Sequence, residues 1–138
     1  MKERDTEKLE AGLLSKGLKV LNEKENLTLA EYLTILMEEK GIEKREAIRK
    51  STVEPHYAYQ ILAGKRIPSR EKVLALCIGA ELSLKEIDRA LKRAGYSPLY
   101  PKNPRDARII IAVNNGNYSI MAINETLQEA GEKVINAE

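Results

Sequence analysis

The sequence predicts an all-α protein. Apolar residues recur mostly at intervals of three and four, which is the spacing of one face of a helix. Thr28 precedes Glu31, and Ser83 precedes Glu86, by three residues, a pattern typical of helix N-termini. Gly follows several of the apolar runs, at the position where a left-handed residue commonly ends a helix. We therefore expect helices separated by short turns along the whole chain.

The composition favours a single compact domain with an aliphatic core. The chain has 138 residues, of which 43% are hydrophobic, with no Phe or Trp. The single Cys77 rules out an intramolecular disulfide, and no Cys/His cluster predicts a metal site. No apolar run approaches the roughly 20 residues that a membrane span needs, and "MKERDTEKLE" is too charged for a secretory signal. We expect a cytoplasmic protein with no membrane contact and no cofactor.

The first predicted element is an N-terminal helical segment within residues 1–27. A leucine stripe at helical spacing runs through residues 5–24 and comprises Leu9, Leu13, Leu14, Leu18 and Leu21. Gly12 and Gly17 weaken this prediction, because Gly disfavours helix interiors. The stripe either packs within the chain or forms a homodimer surface, and the sequence favours neither interpretation.

Two helices are predicted next, over residues 29–40 and 44–51. Thr28 opens the first, and Gly41 follows it as the expected cap residue. The inward-facing residues predicted for these two helices are Leu29, Leu33, Leu36 and Met37, then Ala47 and Ile48.

Two further helices are predicted on either side of a basic turn. Pro55 suits the first turn of "PHYAYQILA", because its missing N–H costs nothing there, and Gly64 stops that helix. Ser69 caps "REKVLALCIGA". The residues predicted to face inward are Ala58, Ile61 and Leu62, then Val73, Leu74, Cys77 and Ile78.

The tail of the chain predicts two related helical hairpins, over residues 69–99 and 105–135. A shift of 36 residues aligns "SL" at 83–84 with "SI" at 119–120, and "AG" at 94–95 with "AG" at 130–131. The same shift aligns the apolar residues Ile87 and Leu91 with Ile123 and Leu127. The alternative is that any two helical hairpins look somewhat alike, and two copies are too few for a solenoid.

Two segments of the tail are predicted to be irregular. The linker "YSPLYPKNP", residues 96–104, contains three Pro and two Tyr, so we expect an extended segment packed by its tyrosines. "NNGN", residues 114–117, resembles an active-site loop at first sight. It is better explained as a helix end and turn, because Asn and Gly tolerate left-handed backbone.

Charge is unevenly distributed along the chain. Residues 43–108 hold fifteen Lys or Arg and eight Asp or Glu, whereas the flanks hold eight and thirteen. A basic middle between acidic ends favours a nucleic-acid-binding face, although ordinary scatter on a helical surface also explains it. The same middle region pairs two short helices across a tight turn, which is helix-turn-helix geometry.

The segment "GIEKREAIRKSTVEPHYAYQILAGKRIPSREKVLALC" carries a family resemblance. Residues 29–79 resemble the Cro/lambda-repressor type of helix-turn-helix domain, the XRE family. The matching features are a small apolar pair at Ala47-Ile48, an apolar turn residue at Val53, and the Gly-Lys-Arg-x-Pro-Ser run from Gly64. The whole chain also resembles small Firmicutes regulators in which "YAYQI" and G-K-R-x-P-S-R precede two helical hairpins with a Leu-Tyr-Pro linker.

The resemblance implies a sequence-specific regulator of transcription that binds double-stranded DNA. Residues 28–80 would form a lambda-repressor-like helix-turn-helix core with the helix from Pro55 in the major groove. An extra N-terminal helix would precede this core, and residues 81–138 would form a C-terminal helical extension. Most such domains bind paired half-sites as dimers, so a homodimer is one expected partner.

Three positions depart from the family pattern. Lys44 stands where the family usually has Gln, and it would grip a phosphate as a point charge. Thr52 stands where the turn usually has Gly, and because a β-branched residue disfavours positive φ, we expect a turn of different shape. Glu54 replaces the usual Ser, and it would either cap the helix or accept a hydrogen bond from cytosine N4.

The candidate DNA contacts fall into two groups. Gln60 projects away from the Ala58/Ile61 side and would pair with adenine; a solvated surface amide is the alternative. The base-contact candidates are Glu54, His56, Tyr57 and Gln60. The phosphate-contact candidates, for which a solvated turn or helix surface is the alternative, are Lys44, Arg45, Arg49, Lys65, Arg66 and Arg70.

The sequence predicts a protein that is not an enzyme. His56 is the only His and no Asp lies near it in the sequence, and neither a Walker loop nor a Rossmann glycine pattern occurs. The rival to DNA binding is a protein-interaction adaptor that keeps a helix-turn-helix scaffold without DNA readout. Its partner would bind through the C-terminal hairpin. DNA binding requires Lys65 and Arg66 on the same face as Gln60, whereas an adaptor does not.

Overall fold

The computed structural model describes residues 26–136, and these form seven α-helices and no strand. The all-α prediction is confirmed for this part of the chain, while the N-terminal leucine stripe lies outside the described residues. The helices are α1 (Leu29–Lys40), α2 (Lys44–Ser51), α3 (Pro55–Leu62), α4 (Arg70–Gly79), α5 (Leu84–Arg93), α6 (Pro104–Asn114) and α7 (Ile120–Glu129).

The helices begin where the sequence predicts them. At α1 the Thr28 hydroxyl accepts a hydrogen bond from the Glu31 N–H at 3.2 Å, and the Glu31 carboxylate accepts from the Thr28 N–H at 3.0 Å. Ser83 and Glu86 make the same reciprocal pair at α5, at 3.2 and 2.9 Å. Both predicted capping boxes are therefore confirmed, and each satisfies two otherwise unpaired backbone donors.

One aliphatic cluster joins all seven helices. It extends from Tyr32 on α1 to Ile135 beyond α7, and it includes residues from both the 28–80 and the 81–138 ranges. Cys77 is fully buried within it, as predicted, and burial raises the pKa of its thiol. Tyr32 is also buried, although it is not among the inward-facing residues predicted for α1. The Arg93 guanidinium lies 4.1 Å from the centroid of its ring.

α4 is the central helix of the described fold. Every residue from Val73 to Gly79 is buried. At Gly79 a Cβ atom would lie 2.3 Å from the Ala47 carbonyl oxygen and 2.8 Å from the Ser51 nitrogen. Gly79 thus allows the backbones of α4 and α2 to approach each other, which fixes α2 against the core.

The connection between α2 and α3 is only three residues long and is held by Ser51. The buried Ser51 hydroxyl donates to the Ile48 carbonyl at 2.6 Å and accepts from the Val53 N–H at 3.1 Å. Thr52 has φ 63° and ψ 7°, the left-handed conformation that Gly adopts without steric cost. The altered backbone expected of a β-branched residue is therefore not seen at Thr52, because the flanking contacts hold it at positive φ.

The hairpins α4–α5 and α6–α7 repeat the same contacts at a spacing of 36 residues. The Asp88 carboxylate accepts from the Leu99 N–H at 3.0 Å, and the Asn124 amide oxygen accepts from the Ile135 N–H at 2.7 Å. In both cases a polar residue in the second helix holds a buried aliphatic residue that follows the helix. The predicted relation between the two hairpins therefore extends to their detailed geometry.

An arginine at the start of each hairpin makes a second shared contact, although Arg70 and Arg105 lie 35 rather than 36 residues apart. Its guanidinium donates to two successive backbone carbonyls that follow the second helix. These bonds run from Arg70 to the carbonyls of Ser97 and Pro98, and from Arg105 to those of Lys133 and Val134. In each hairpin the arginine thereby ties the first helix to the segment after the second.

The two hairpins also bind each other reciprocally. Arg70 of the first pairs with Asp106 of the second at 3.4 Å, and Arg105 of the second pairs with Glu71 of the first at 2.7 Å. Helix contacts follow the same rule, since α4 contacts α7 and α5 contacts α6. Each hairpin thus supplies one arginine and one carboxylate to the contact between the two hairpins.

The linker differs in part from its prediction. Tyr96 is half-buried and its hydroxyl donates to the Pro68 carbonyl at 2.7 Å, but Tyr100 is 57% exposed. Leu99, rather than Tyr100, packs into the core because the Asp88 carboxylate anchors its backbone. "NNGN" forms the end of α6 and the turn after it, as predicted.

Candidate nucleic-acid interface

α3 begins with a charged cap. The Glu54 carboxylate accepts hydrogen bonds from the N–H groups of Tyr57 at 2.8 Å and His56 at 3.1 Å. These bonds favour the charged carboxylate, so they hold the pKa of Glu54 below its ordinary value. Pro55 follows at the first helical position, as predicted. Of the two roles considered for Glu54, the structure places its side chain in the capping one.

The two sides of α3 differ sharply in burial. Ala58, Ile61 and Leu62 are buried against the core, as predicted. His56 and Tyr59 are exposed and Gln60 is partly exposed. α3 therefore presents a polar and aromatic face that is at least partly exposed to solvent.

Gln60 links this face to the basic turn that follows α3. The Arg66 Nε donates to the Gln60 side-chain oxygen at 2.9 Å. The nitrogen of the same Gln60 side-chain amide lies 3.4 Å from His56 Nε2. The structure thus brings together three predicted contact residues, two from the base-contact group and one from the phosphate-contact group.

Tyr57 joins the same cluster through two cations. The Arg66 guanidinium lies 5.2 Å and the Lys72 ammonium 5.1 Å from the centroid of its ring, within the range of cation–π attraction. Lys72 is a residue that sequence reasoning missed. Its position in the first turn of α4 gave no sign of its proximity to α3, because that proximity depends on how the basic turn folds back.

The basic turn is anchored at both ends. Gly64 has φ 77°, and the Lys65 N–H donates to the Gln60 carbonyl at 2.9 Å. At the other end, Pro68 is buried and its carbonyl accepts from the Tyr96 hydroxyl. Between these anchors the side chains of Lys65, Arg66 and Ile67 are exposed, Ile67 by 87%. The turn is therefore a fixed platform for two cations and one aliphatic side chain.

The remaining phosphate-contact candidates lie outside this cluster. Arg45 pairs with Glu43 at 3.4 Å, and Arg49 pairs with Glu46. Lys44 is exposed and makes no side-chain bond within residues 26–136. All three stand on α2, Lys44 and Arg45 in its first turn and Arg49 in its last turn.

Arg70 is occupied by the hairpin contacts. Its guanidinium donates to two carbonyls of the linker and to the Asp106 carboxylate. Unlike Arg66, it makes no bond to the exposed face of α3. Its main contacts are structural ones between the two hairpins.

The charged residues of α3 and the basic turn, unlike the Glu54 cap before them, are all cations. No Asp or Glu occurs between residues 55 and 70, a stretch that includes Lys65 and Arg66.

Among residues 26–136 no group of three or more His, Cys, Asp or Glu is placed to hold a metal ion. Over the same range, no helix is both long and apolar enough to cross a bilayer.

Neither a protein family, nor a curated protein, nor a solved structure matches this chain. The function is therefore inferred from the residues and their geometry.

Proposed function

We propose that this chain is a transcriptional regulator that binds double-stranded DNA sequence-specifically. In this proposal residues 28–80 are a lambda-repressor-like helix-turn-helix core of the XRE type, with α2 and α3 as its paired helices. α3 enters the major groove, whose width accommodates one helix. Repression or activation follows from where the binding site lies relative to a promoter.

The observation that carries the proposal is the bond between Arg66 and Gln60. DNA binding requires the basic turn to share a face with the exposed residues of α3, and the 2.9 Å bond supports this arrangement. A protein adaptor has no need of it. The lack of Asp and Glu between residues 55 and 70 supports the proposal further, since a polyanion is repelled by carboxylates.

The basic turn and α2 would supply binding energy that is independent of base sequence. Lys65 is exposed and makes no side-chain bond within the described residues, and the same holds for Lys44. A cation that neutralises a phosphate releases counterions, so each such contact makes binding dependent on salt. Arg45 and Arg49 would have to exchange their carboxylate partners for phosphates.

The decisive experiment is a selection from random duplex DNA at two salt concentrations. The variants are Gln60→Ala and the double variant Lys65→Ala/Arg66→Ala. The matched control is Lys102→Ala/Arg108→Ala, which removes the same charge from exposed positions of the linker and of α6. The expected result is an enriched motif for the wild type and for the control.

The basic-turn variant should bind all sequences more weakly, with a smaller salt slope, by about 0.9 per lost phosphate contact in log K against log salt. Gln60→Ala should relax the motif. If the wild type enriches no sequence and binds no duplex even at low salt, the DNA proposal is wrong.

A protein partner bound by the second hairpin is the second candidate function. Ile111 on α6 and Met121 on α7 are 59% and 74% exposed, although both are apolar. If no duplex is bound, this surface is the next one to test, with Met121→Ser as the variant that should weaken capture of a partner.

A further inference from the structure

Arg66 is anchored through one nitrogen only. Its Nε donates to the Gln60 side-chain oxygen, and its guanidinium lies over the Tyr57 ring, 5.2 Å from the centroid. The side chain is exposed, and its two terminal nitrogens make no bond within the described residues. The guanidinium is therefore held in orientation with its outer edge unoccupied.

The outer edge of a guanidinium is a pair of parallel N–H donors. This pair matches guanine, whose O6 and N7 are neighbouring acceptors in the major groove. It does not match adenine, which offers N7 beside the N6 amino donor. An arginine fixed in this way has the hydrogen-bonding pattern of a guanine reader, and its fixed geometry lowers the side-chain entropy lost on binding.

Gln60 is correspondingly less suited to read adenine. Pairing with adenine requires its oxygen to accept from the N6 amino group. That oxygen already accepts from Arg66, so the N6 amino group would meet a second donor and a positive charge there. The Gln60 amide nitrogen, which would donate to adenine N7, lies 3.4 Å from His56 Nε2.

We infer that Arg66 reads guanine in the major groove and that Gln60 is the residue that positions it. This inference rests on the proposed DNA-binding function. It reverses the roles that the sequence alone predicts, in which Gln60 pairs with adenine and Arg66 binds a phosphate. The neighbouring Lys65, whose side chain has no bond to Gln60 within the described residues, keeps the phosphate role.

The test uses the full chain and the duplex site obtained by the selection described above. Each guanine of that site is replaced in turn by 7-deazaguanine, which lacks the N7 acceptor but still pairs with cytosine. For the wild type, one replacement should reduce affinity by roughly tenfold, the scale of a single bidentate base contact. Arg66→Ala should bind the original and the 7-deaza site equally, because this variant lacks the guanidinium that would contact N7.

Gln60→Ala tests the positioning role. Arg66 is retained in this variant but is no longer anchored, so the penalty for 7-deazaguanine at the same position should shrink to a few-fold. Lys65→Ala is the matched control, because it removes an adjacent charge that has no bond to Gln60. It should bind more weakly overall and keep the full 7-deaza penalty.

Three results would overturn the inference. If Arg66→Ala lowers affinity for all sequences and keeps the full penalty, Arg66 binds a phosphate while the DNA-binding function stands. If Gln60→Ala keeps the full penalty, Gln60 does not position Arg66. If the wild type binds no duplex at low salt, the proposed function fails and the inference fails with it.

Discussion

Thr52 adopts a backbone conformation that its side chain disfavours. Its φ of 63° lies in the left-handed region, where a β-branched residue is a steric outlier. The side chain is exposed, so it offers little packing energy in return. The short connection between α2 and α3 and the bonds of Ser51 hold the residue there.

Thr52→Gly is therefore expected to stabilise the protein. Relief of the strain, on the order of 1–3 kcal/mol, exceeds the entropy cost of Gly, about 0.5–1 kcal/mol, so the free energy of unfolding should rise by about 1 kcal/mol. Chemical denaturation measures the change. Thr52→Ala keeps a Cβ at positive φ and should gain less, whereas a less stable Gly variant would show that the Thr52 side chain contributes contacts of its own.

Glu54 makes the stability of α3 depend on pH. Its pKa is lowered in the folded state by the N–H groups of Tyr57 and His56. A carboxyl with a lowered folded pKa stabilises the protein above its unfolded pKa, and this contribution is lost as the pH falls through the folded pKa. The cap is therefore at full strength near neutral pH and weakens below the ordinary Glu range, about pH 4.3.

Glu54→Gln should flatten this part of the pH profile, because the amide still accepts hydrogen bonds but does not titrate. We expect the melting temperature of the wild type to exceed that of the variant at neutral pH, and the gap to close on acidification. Glu125→Gln is the control, since Glu125 is an exposed carboxylate that makes no bond within the described chain. A gap that stays constant with pH would contradict the capping role of the charge.

At the scale of the helix, Gly79 sets two effects against each other. Gly in a helix costs roughly 0.5–1 kcal/mol relative to Ala, so propensity alone favours Gly79→Ala. The new methyl group would lie 2.3 Å from the Ala47 carbonyl oxygen and 2.8 Å from the Ser51 nitrogen. These are backbone atoms, which yield only if α4 and α2 move apart.

Gly79→Ala should destabilise the protein by about 3 kcal/mol, at the upper end of the range for overpacking. Thermal or chemical unfolding followed by circular dichroism at 222 nm measures the change. Because α2 also supports α3, the same variant should weaken any DNA binding at temperatures near its melting point. A variant more stable than the wild type would mean that propensity outweighs the contact.

At the scale of the whole molecule, two ion pairs join the two hairpins. Arg105 has a side chain only 14% exposed, and it bonds Glu71 on α4 as well as two carbonyls after α7. Arg70 makes the equivalent bonds in the other direction. The second hairpin is thus attached to the helix that also packs against α2, so the described residues share one core.

Arg105→Ala should lower the free energy of unfolding by about 2–3 kcal/mol, because it leaves a partly buried Glu71 carboxylate without its cationic partner. Arg108→Ala is the matched control on the same helix, since Arg108 is exposed and makes no bond within residues 26–136. It should change stability by less than about 0.5 kcal/mol. Equal effects of the two variants would mean that the reciprocal bonds contribute little.

The sequence by itself determined the elements of this protein. Both capping boxes, Pro55 at the start of α3, the buried Cys77 and the repeat of 36 residues were predictable, because each depends on residues a few positions apart or on a period along the chain. It also identified His56, Tyr57, Gln60, Lys65 and Arg66 as one candidate site, since these residues lie within one short segment.

Only the tertiary structure decided which of these side chains meet. The bond from Arg66 to Gln60 depends on the left-handed turn at Gly64, and the approach of Lys72 to Tyr57 depends on how α4 returns past α3. Arg70 belongs to the predicted basic segment, yet its partners lie 27 to 36 residues away. Such contacts join residues far apart in the chain, and no local propensity or periodicity encodes them, because they arise when packing brings the helices together.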